Sequence, residues 1–233
     1  MSSQPDTALA WAEDGQALFE RAVAQYGDLR GPSRLPGWTR GHVVTHVARN
    51  AEGLVRLLTW ARTGIETPMY PSIQARAADI EAGAGRPVAE QLDDLRGTAA
   101  AFTAAVKELL PKHWEATVRT RHGSLAASII PWMRVREVWL HLVDLNAGAE
   151  LDVLPEDIAT ALVRDVAGWM ETRVPARIEL QIPGSEPVIF GPGTTAPVAV
   201  SGPAQELAGW LTGRCRGDQL VAPEGLPELP RWL

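Results

Sequence analysis

One segment, residues 131 to 146, limits the possible folds of this chain of 233 residues more than any other. Read as a helix, it is apolar almost all round, which is typical of a helix buried inside a protein. Glu137 and His141 are four residues apart and therefore project from the same side of that helix. A buried carboxylate or imidazole is costly unless it is paired, hydrogen-bonded or bound to metal. The partner is either a neighbouring group, such as Arg134 or Arg136 or an internal ion pair, or a shared divalent metal ion.

A second helix, predicted from residue 40 to about residue 63, supplies a third side chain of the metal-binding type. A Pro-Gly turn precedes it, and Thr39 is a suitable N-cap. His46 falls on the apolar stripe of this helix, whereas His42 falls on a row of arginines that we expect to face water or to cap the helix start. If these two helices pack antiparallel about 8 to 10 Å apart, His46 can lie against Glu137 and His141. Two histidines and one carboxylate then favour a metal site, with a satisfied core histidine as the alternative.

The rest of the first 150 residues predicts further helices and one hairpin. Apolar residues recur at helical spacing over residues 6 to 27 and 87 to 110, and a proline-bounded loop with a short helix occupies residues 64 to 85. Residues 114 to 125 have the pattern of a hairpin. His113 and His122 fall in these connections, and we expect both to be surface residues. Residues 1 to 150 are therefore predicted to form a helical bundle.

The pattern of apolar and polar residues changes after residue 150. A helix is predicted from about residue 155 to 172, followed by period-two alternation and short β-like runs separated by Pro and Gly. These runs cover residues 176 to 182, 187 to 190 and 197 to 200, and a last helix follows over residues 204 to 212. We predict a small α+β domain at residues 151 to 233.

Composition excludes several classes of function. The net charge of −6, without any block of Lys and Arg, argues against nucleic acid as a partner. No apolar run approaches the roughly 18 residues of a membrane span. We therefore expect a cytoplasmic protein, acting as a monomer without a membrane partner. Cys215 is the single cysteine, which excludes an internal disulfide and a cysteine-rich zinc site. We expect it to be a small residue near a helix end, although Arg214 and Arg216 beside it would lower its pKa.

Six short sequence motifs resemble those of a known protein family. They are Leu-Pro-Gly-Trp-Thr at residues 35 to 39, His-Val-Ala-Arg-Asn at 46 to 50, Met-Tyr at 69 to 70, Arg-Glu-Val-Trp-Leu-His at 136 to 141, Gly-Arg at 213 to 214 and Pro-Arg-Trp-Leu at 230 to 233. In this order they closely resemble the mycothiol-dependent maleylpyruvate isomerase family. The resemblance runs from the first helix to the last residue. It implies a DinB-like metal-binding four-helix bundle followed by a small α+β domain.

The resemblance also implies site residues. It assigns His46, Glu137 and His141 as ligands of a zinc ion, and it places Arg214 of the C-terminal domain in the active site. Two more residues, Asn50 and Asp144, lie about one helical turn from the ligands in the sequence and are candidates for supporting them.

The resemblance further implies a reaction. The family converts maleylpyruvate to fumarylpyruvate, in gentisate degradation, with mycothiol as an external low-molecular-weight thiol. Reversible addition of the thiolate makes the cis double bond single for a moment, and a zinc ion with three protein ligands keeps a position open for the thiol. Arg214 is expected to pair with a substrate carboxylate or the developing enolate. A mycothiol S-transferase on the same scaffold stays an alternative, as does a non-catalytic DinB-like module that binds a metal or a partner.

Overall fold

The structure is a computed structural model that describes residues 5 to 121 and 123 to 232. The chain divides into two compact units, one ending at Ala149 and the other beginning at Glu150. Among the described residues, no helix is both long and apolar enough to cross a membrane.

The N-terminal unit is a bundle of α-helices with one small hairpin. In the described residues its helices are α1 (Pro5–Ala24), α2 (Arg40–Thr63), α3 (Ile73–Ala84), α4 (Val88–Lys107) and α5 (Ile130–Asp144). The hairpin pairs β1 (Thr117–Thr120) with β2 (Gly123–Ala126) in antiparallel register. Helix α2 packs against α3, α4 and α5, and α1 packs against α4 and α5. Four of the helices therefore form the predicted bundle, and α3 lies against α2.

Helix α2 begins and ends where the sequence predicts. The Thr39 side chain accepts a hydrogen bond from the backbone N–H of His42, while His42 Nδ1 accepts one from the backbone N–H of Thr39. Gly64 ends the helix with a φ of 73°, a left-handed conformation that favours glycine. His42 therefore caps the helix, as predicted. It does not lie on a water-facing row, since its side chain is only 15% exposed and its Nε2 lies 3.1 Å from Glu81 Oε2.

Helix α5 is the buried centre of the bundle, and besides the half-buried Glu137 it carries a fully buried positive charge. Arg134 is 2% exposed and donates hydrogen bonds to the Val47 carbonyl at 2.8 Å, to Asn50 Oδ1 at 3.2 Å and to Gln16 Oε1 at 2.8 Å. Burial lowers the pKa of Arg134 to about 10, so it stays charged at neutral pH. These hydrogen bonds join α5 to α1 and α2. They are not directed to Glu137, which the sequence had offered as one alternative.

Close approach of two helices explains one glycine of α2. A Cβ atom built on Gly41 would lie 2.1 Å from the carbonyl oxygen of Ala84, the last residue of α3. Only glycine therefore fits here without a shift of the backbone.

The C-terminal unit is the predicted small α+β fold. It contains α6 (Glu156–Met170), β3 (Ile178–Gln181), β4 (Val188–Phe190), β5 (Val198–Ser201) and α7 (Ala204–Leu211). The strand order is β4-β3-β5, with β3 antiparallel to β4 and parallel to β5. The two helices pack against each other, and the buried side chains of the unit include Val166, Ile178, Leu180, Phe190 and Leu207.

Candidate metal centre

Three side chains of the metal-binding type meet inside the bundle. His46 of α2 is 6% exposed, and its Nε2 lies 3.0 Å from Oε2 of Glu137 on α5. His141 Nε2 lies 3.4 Å from the same oxygen. One ligating atom from each residue lies within 4.8 Å of the others, and the two imidazole rings meet edge to face with centroids 4.7 Å apart. The apolar stripe of α2 therefore identified the buried histidine of that helix.

The contacts within this cluster suit a shared ion better than direct pairing. Glu137 Oε2 is buried, and although two imidazole nitrogens lie 3.0 and 3.4 Å from it, neither is well aligned with it for a hydrogen bond. Ligands about 2.0 to 2.1 Å from a tetrahedral zinc ion lie about 3.4 Å from one another. The distances from Glu137 Oε2 to the two imidazole nitrogens, 3.0 and 3.4 Å, are close to that value. Two imidazoles and one carboxylate are also a ligand set that zinc accepts, so the residues fit a divalent ion.

His141 already has the hydrogen bond that a metal-binding histidine needs. Its Nδ1 lies 2.9 Å from Oδ2 of Asp144, which is 1% exposed. Because a carboxylate only accepts, Nδ1 carries the proton, and Nε2 is the atom that faces Glu137. Burial alone would lower the pKa of His141, but the hydrogen bond to Asp144 and the charge of Glu137 raise this pKa to about 8.

His46 differs from His141 in its protonation and in its outer partner. Burial outweighs the attraction of Glu137 and lowers the pKa of His46 to about 4, so its ring is neutral at pH 7. Burial would raise the pKa of Glu137, but the two histidines hold it well below its usual range. The outer nitrogen of His46, Nδ1, lies 2.9 Å from a guanidinium nitrogen of Arg76 on α3. No spacing in the sequence pointed to Arg76, because α3 follows an irregular loop.

The other predicted residues lie in various places. Asp144 contacts a member of the cluster, whereas buried Asn50 accepts from Arg134. His113 is half-buried, and its Nδ1 accepts a hydrogen bond from the backbone N–H of Leu110, outside the cluster. His122 lies outside the described residues.

The structure also gives the surroundings of Arg214 and Cys215, two neighbouring residues of the C-terminal unit. Arg214 donates through Nη1 to the Thr212 carbonyl at 3.3 Å, within its own unit. The expected lowering of the Cys215 pKa is wrong. Burial raises the pKa of this thiol to about 11, and its Sγ donates to the carbonyl of Glu206 at 3.5 Å.

The fold and the cluster define a class of protein, a DinB-like helical bundle with a partly buried His-Glu-His group, followed by a small α+β unit. Two family models match the chain. "Mycothiol maleylpyruvate isomerase N-terminal domain" matches residues 5–146, and "MDMPI C-terminal domain" matches residues 153–231. The chain belongs to the mycothiol-dependent maleylpyruvate isomerase family, and it is an enzyme of that isomerase type.

Solved structures agree with the family models over nearly the whole chain. The chain is similar to the crystal structure of a mycothiol-dependent maleylpyruvate isomerase, with a TM-score of 0.89 and 32% identity over 99% of this chain and 98% of that chain. A histidine-to-alanine mutant of that enzyme matches with a TM-score of 0.88, at the same identity and coverage. No curated protein sequence matches significantly.

Proposed function

We propose that this enzyme is a zinc- and mycothiol-dependent isomerase that converts maleylpyruvate, or a similar cis-enedioic keto acid, to fumarylpyruvate. The observation that carries this proposal is the partly buried cluster of His46, Glu137 and His141 in a chain of this family. Its two small-molecule partners are the keto acid and the thiol.

The ligand residues have a defined task in this proposal. Two neutral imidazoles and one carboxylate would hold a divalent ion with a net positive charge and an open position, where it would keep an external thiol deprotonated. Asp144 orients His141 by accepting from its Nδ1. The two histidines hold the pKa of Glu137 well below its usual range, so it is available as a ligand without losing a proton.

The isomerisation itself needs a temporary single bond. The thiolate sulfur adds to one carbon of the double bond, and the π electrons of that bond move toward the keto group, which gives an enolate. Rotation about the new single bond and loss of the same thiolate yield the trans product and regenerate the thiol. A guanidinium suits a planar, developing anion. We propose that the small α+β domain, residues 151 to 233, contributes Arg214 for this purpose.

The test follows product and thiol together. The zinc-loaded protein is incubated with mycothiol and maleylpyruvate, while the trans product is measured by chromatography and the free thiol by titration. We expect a product of unchanged mass and no net use of thiol. Stoichiometric loss of thiol with a conjugate of higher mass would instead indicate an S-transferase. Absence of any thiol-dependent reaction would indicate a non-catalytic module.

Variants separate the roles of the residues. His141→Ala should lose both zinc and activity, whereas His113→Ala removes a histidine outside the cluster and should retain both. Arg214→Lys should keep zinc but turn over much more slowly, because an ammonium lacks the planar fork of donors. Full thiol-dependent activity in His141→Ala would refute the metal centre, and unchanged kinetics in Arg214→Lys would remove that residue from the site.

A further inference from the structure

Arg76 is a half-buried cation beside the candidate metal centre. Besides its contact with His46, its guanidinium carbon lies 5.5 Å from the centroid of the Tyr70 ring. Among the described residues, Arg76 forms no ion pair with an aspartate or glutamate. By contrast, Arg49 and Arg86 of the same bundle both pair with Asp94. Within the part of the bundle that the structure describes, the positive charge of Arg76 therefore has no carboxylate partner.

The hydrogen bond between Arg76 and His46 has only one possible direction. A guanidinium has donors and no acceptor, so Nδ1 of His46 must accept. Because Nδ1 is the acceptor, the ring proton of His46 is on Nε2, the nitrogen that lies 3.0 Å from Glu137 Oε2. In this tautomer Nε2 has no free lone pair, so it cannot bind a metal ion.

Metal binding requires the opposite tautomer. An imidazole that binds an ion through Nε2 carries its proton on Nδ1, where it acts as a donor. Two donors cannot form a hydrogen bond, so the contact with Arg76 and coordination through Nε2 exclude each other. His141 has no such conflict, since its Nδ1 already faces the acceptor Asp144.

We propose that Arg76 is a substrate-binding residue that leaves His46 when the metal binds and then holds a carboxylate of the substrate. This inference rests on the metal centre of the proposed function. The proposed substrate carries two carboxylates, and Arg214 accounts for at most one of them. The planar fork of a guanidinium matches a carboxylate in bidentate geometry. The face of Tyr70 keeps that fork beside the centre.

The test compares Arg76→Met with Arg56→Met, which removes the same charge from the exposed side of α2. Zinc affinity is measured by competition with a chromogenic chelator. Binding of maleate, a small cis-dicarboxylate, to the zinc-loaded protein is measured by calorimetry. We expect Arg76→Met to bind zinc about three- to tenfold more tightly, because the competing hydrogen bond is gone. It should bind maleate at least about tenfold more weakly.

Two further results complete the test. Arg76→Lys should bind maleate with intermediate affinity, since it keeps the charge without the fork, and Arg56→Met should match the unmodified protein in both assays. Unchanged maleate binding in Arg76→Met would overturn the assignment, and so would an equal loss in Arg56→Met, which would reflect net charge alone. Weaker zinc binding in Arg76→Met would show that Arg76 supports the ligand and would overturn the exchange.

Neither assay uses thiol or turnover, so the two proposals fail separately. A protein that binds zinc and maleate as expected but does not isomerise maleylpyruvate refutes the reaction and leaves the role of Arg76 in place. A protein that isomerises maleylpyruvate with unchanged maleate binding in Arg76→Met refutes the role of Arg76 alone.

Discussion

Replacing Asp144 with Asn tests how the protein supports a metal ligand. Asp144 is almost fully buried, and its Oδ2 accepts from His141 Nδ1 at 2.9 Å. In Asp144→Asn the amide oxygen can still accept this hydrogen bond, but the negative charge that strengthens it is lost. Charge-assisted hydrogen bonds are roughly twice as strong as neutral ones. Loss of such a support typically lowers metal affinity about 10- to 100-fold, or about 1.4 to 2.8 kcal/mol.

The pH of the assay matters for this variant. Asp144 also helps to raise the pKa of His141 to about 8, so at neutral pH most of the metal-free protein carries a proton that zinc must displace. The substitution lowers that pKa and removes part of this competition, which would mask the loss of affinity at pH 7. Competition with a chelator should therefore be measured at about pH 9, where His141 is largely deprotonated in both proteins.

A matched control separates metal support from stability. Asp94→Asn makes the same chemical change at a carboxylate that pairs with Arg49 and Arg86, away from the cluster. It should lower the free energy of unfolding by up to about 1 kcal/mol. Its zinc affinity should match that of the unmodified protein. If Asp144→Asn bound zinc as tightly as the unmodified protein at high pH, or lost no more affinity than Asp94→Asn, Asp144 would not support the metal ligand.

Three further outcomes are expected. Zinc affinity of the unmodified protein should rise about tenfold per pH unit below pH 8 and level off above it, because the raised pKa keeps a proton on His141; a flat profile in chelator competition would contradict this. In urea unfolding, Gly41→Ala should have a lower free energy of unfolding, because its Cβ clashes with Ala84. Gly97→Ala, whose Cβ meets nothing within 4 Å, should have a free energy of unfolding higher by up to about 1 kcal/mol. Equal effects of the two substitutions would contradict this account of the packing. Cys215→Ala should keep its thiol-dependent isomerase activity, since burial holds the thiol protonated; a large loss would give this cysteine a role.

The local sequence determined where helices begin and end and on which side of a helix each residue lies. Thr39 and Gly64 bound α2 because capping depends on residues within one turn of the helix end. The side of α2 that carries His46 follows from the 3.6-residue period, as does the shared side of Glu137 and His141 on α5. The fold class followed as well, since helical periods in the first part and period-two runs in the second are local patterns.

Contacts between elements were decided only by the tertiary structure. A helical period gives the direction of a side chain about its own axis, but it does not identify the atoms that face it from another helix. The sequence therefore left open whether Arg134 pairs with Glu137, and it did not show that Glu81 covers His42 or that Arg76 of α3 reaches Nδ1 of His46.

Burial is likewise a property of the folded chain. The neighbours of Cys215 in sequence suggested a lowered pKa, but a group's pKa depends on how many protein atoms displace its water, and here burial raises it. The same holds for the cluster. Its residue types and spacing were visible in the sequence, whereas the 3.0 Å approach of His46 to Glu137 exists only because α2 packs against α5.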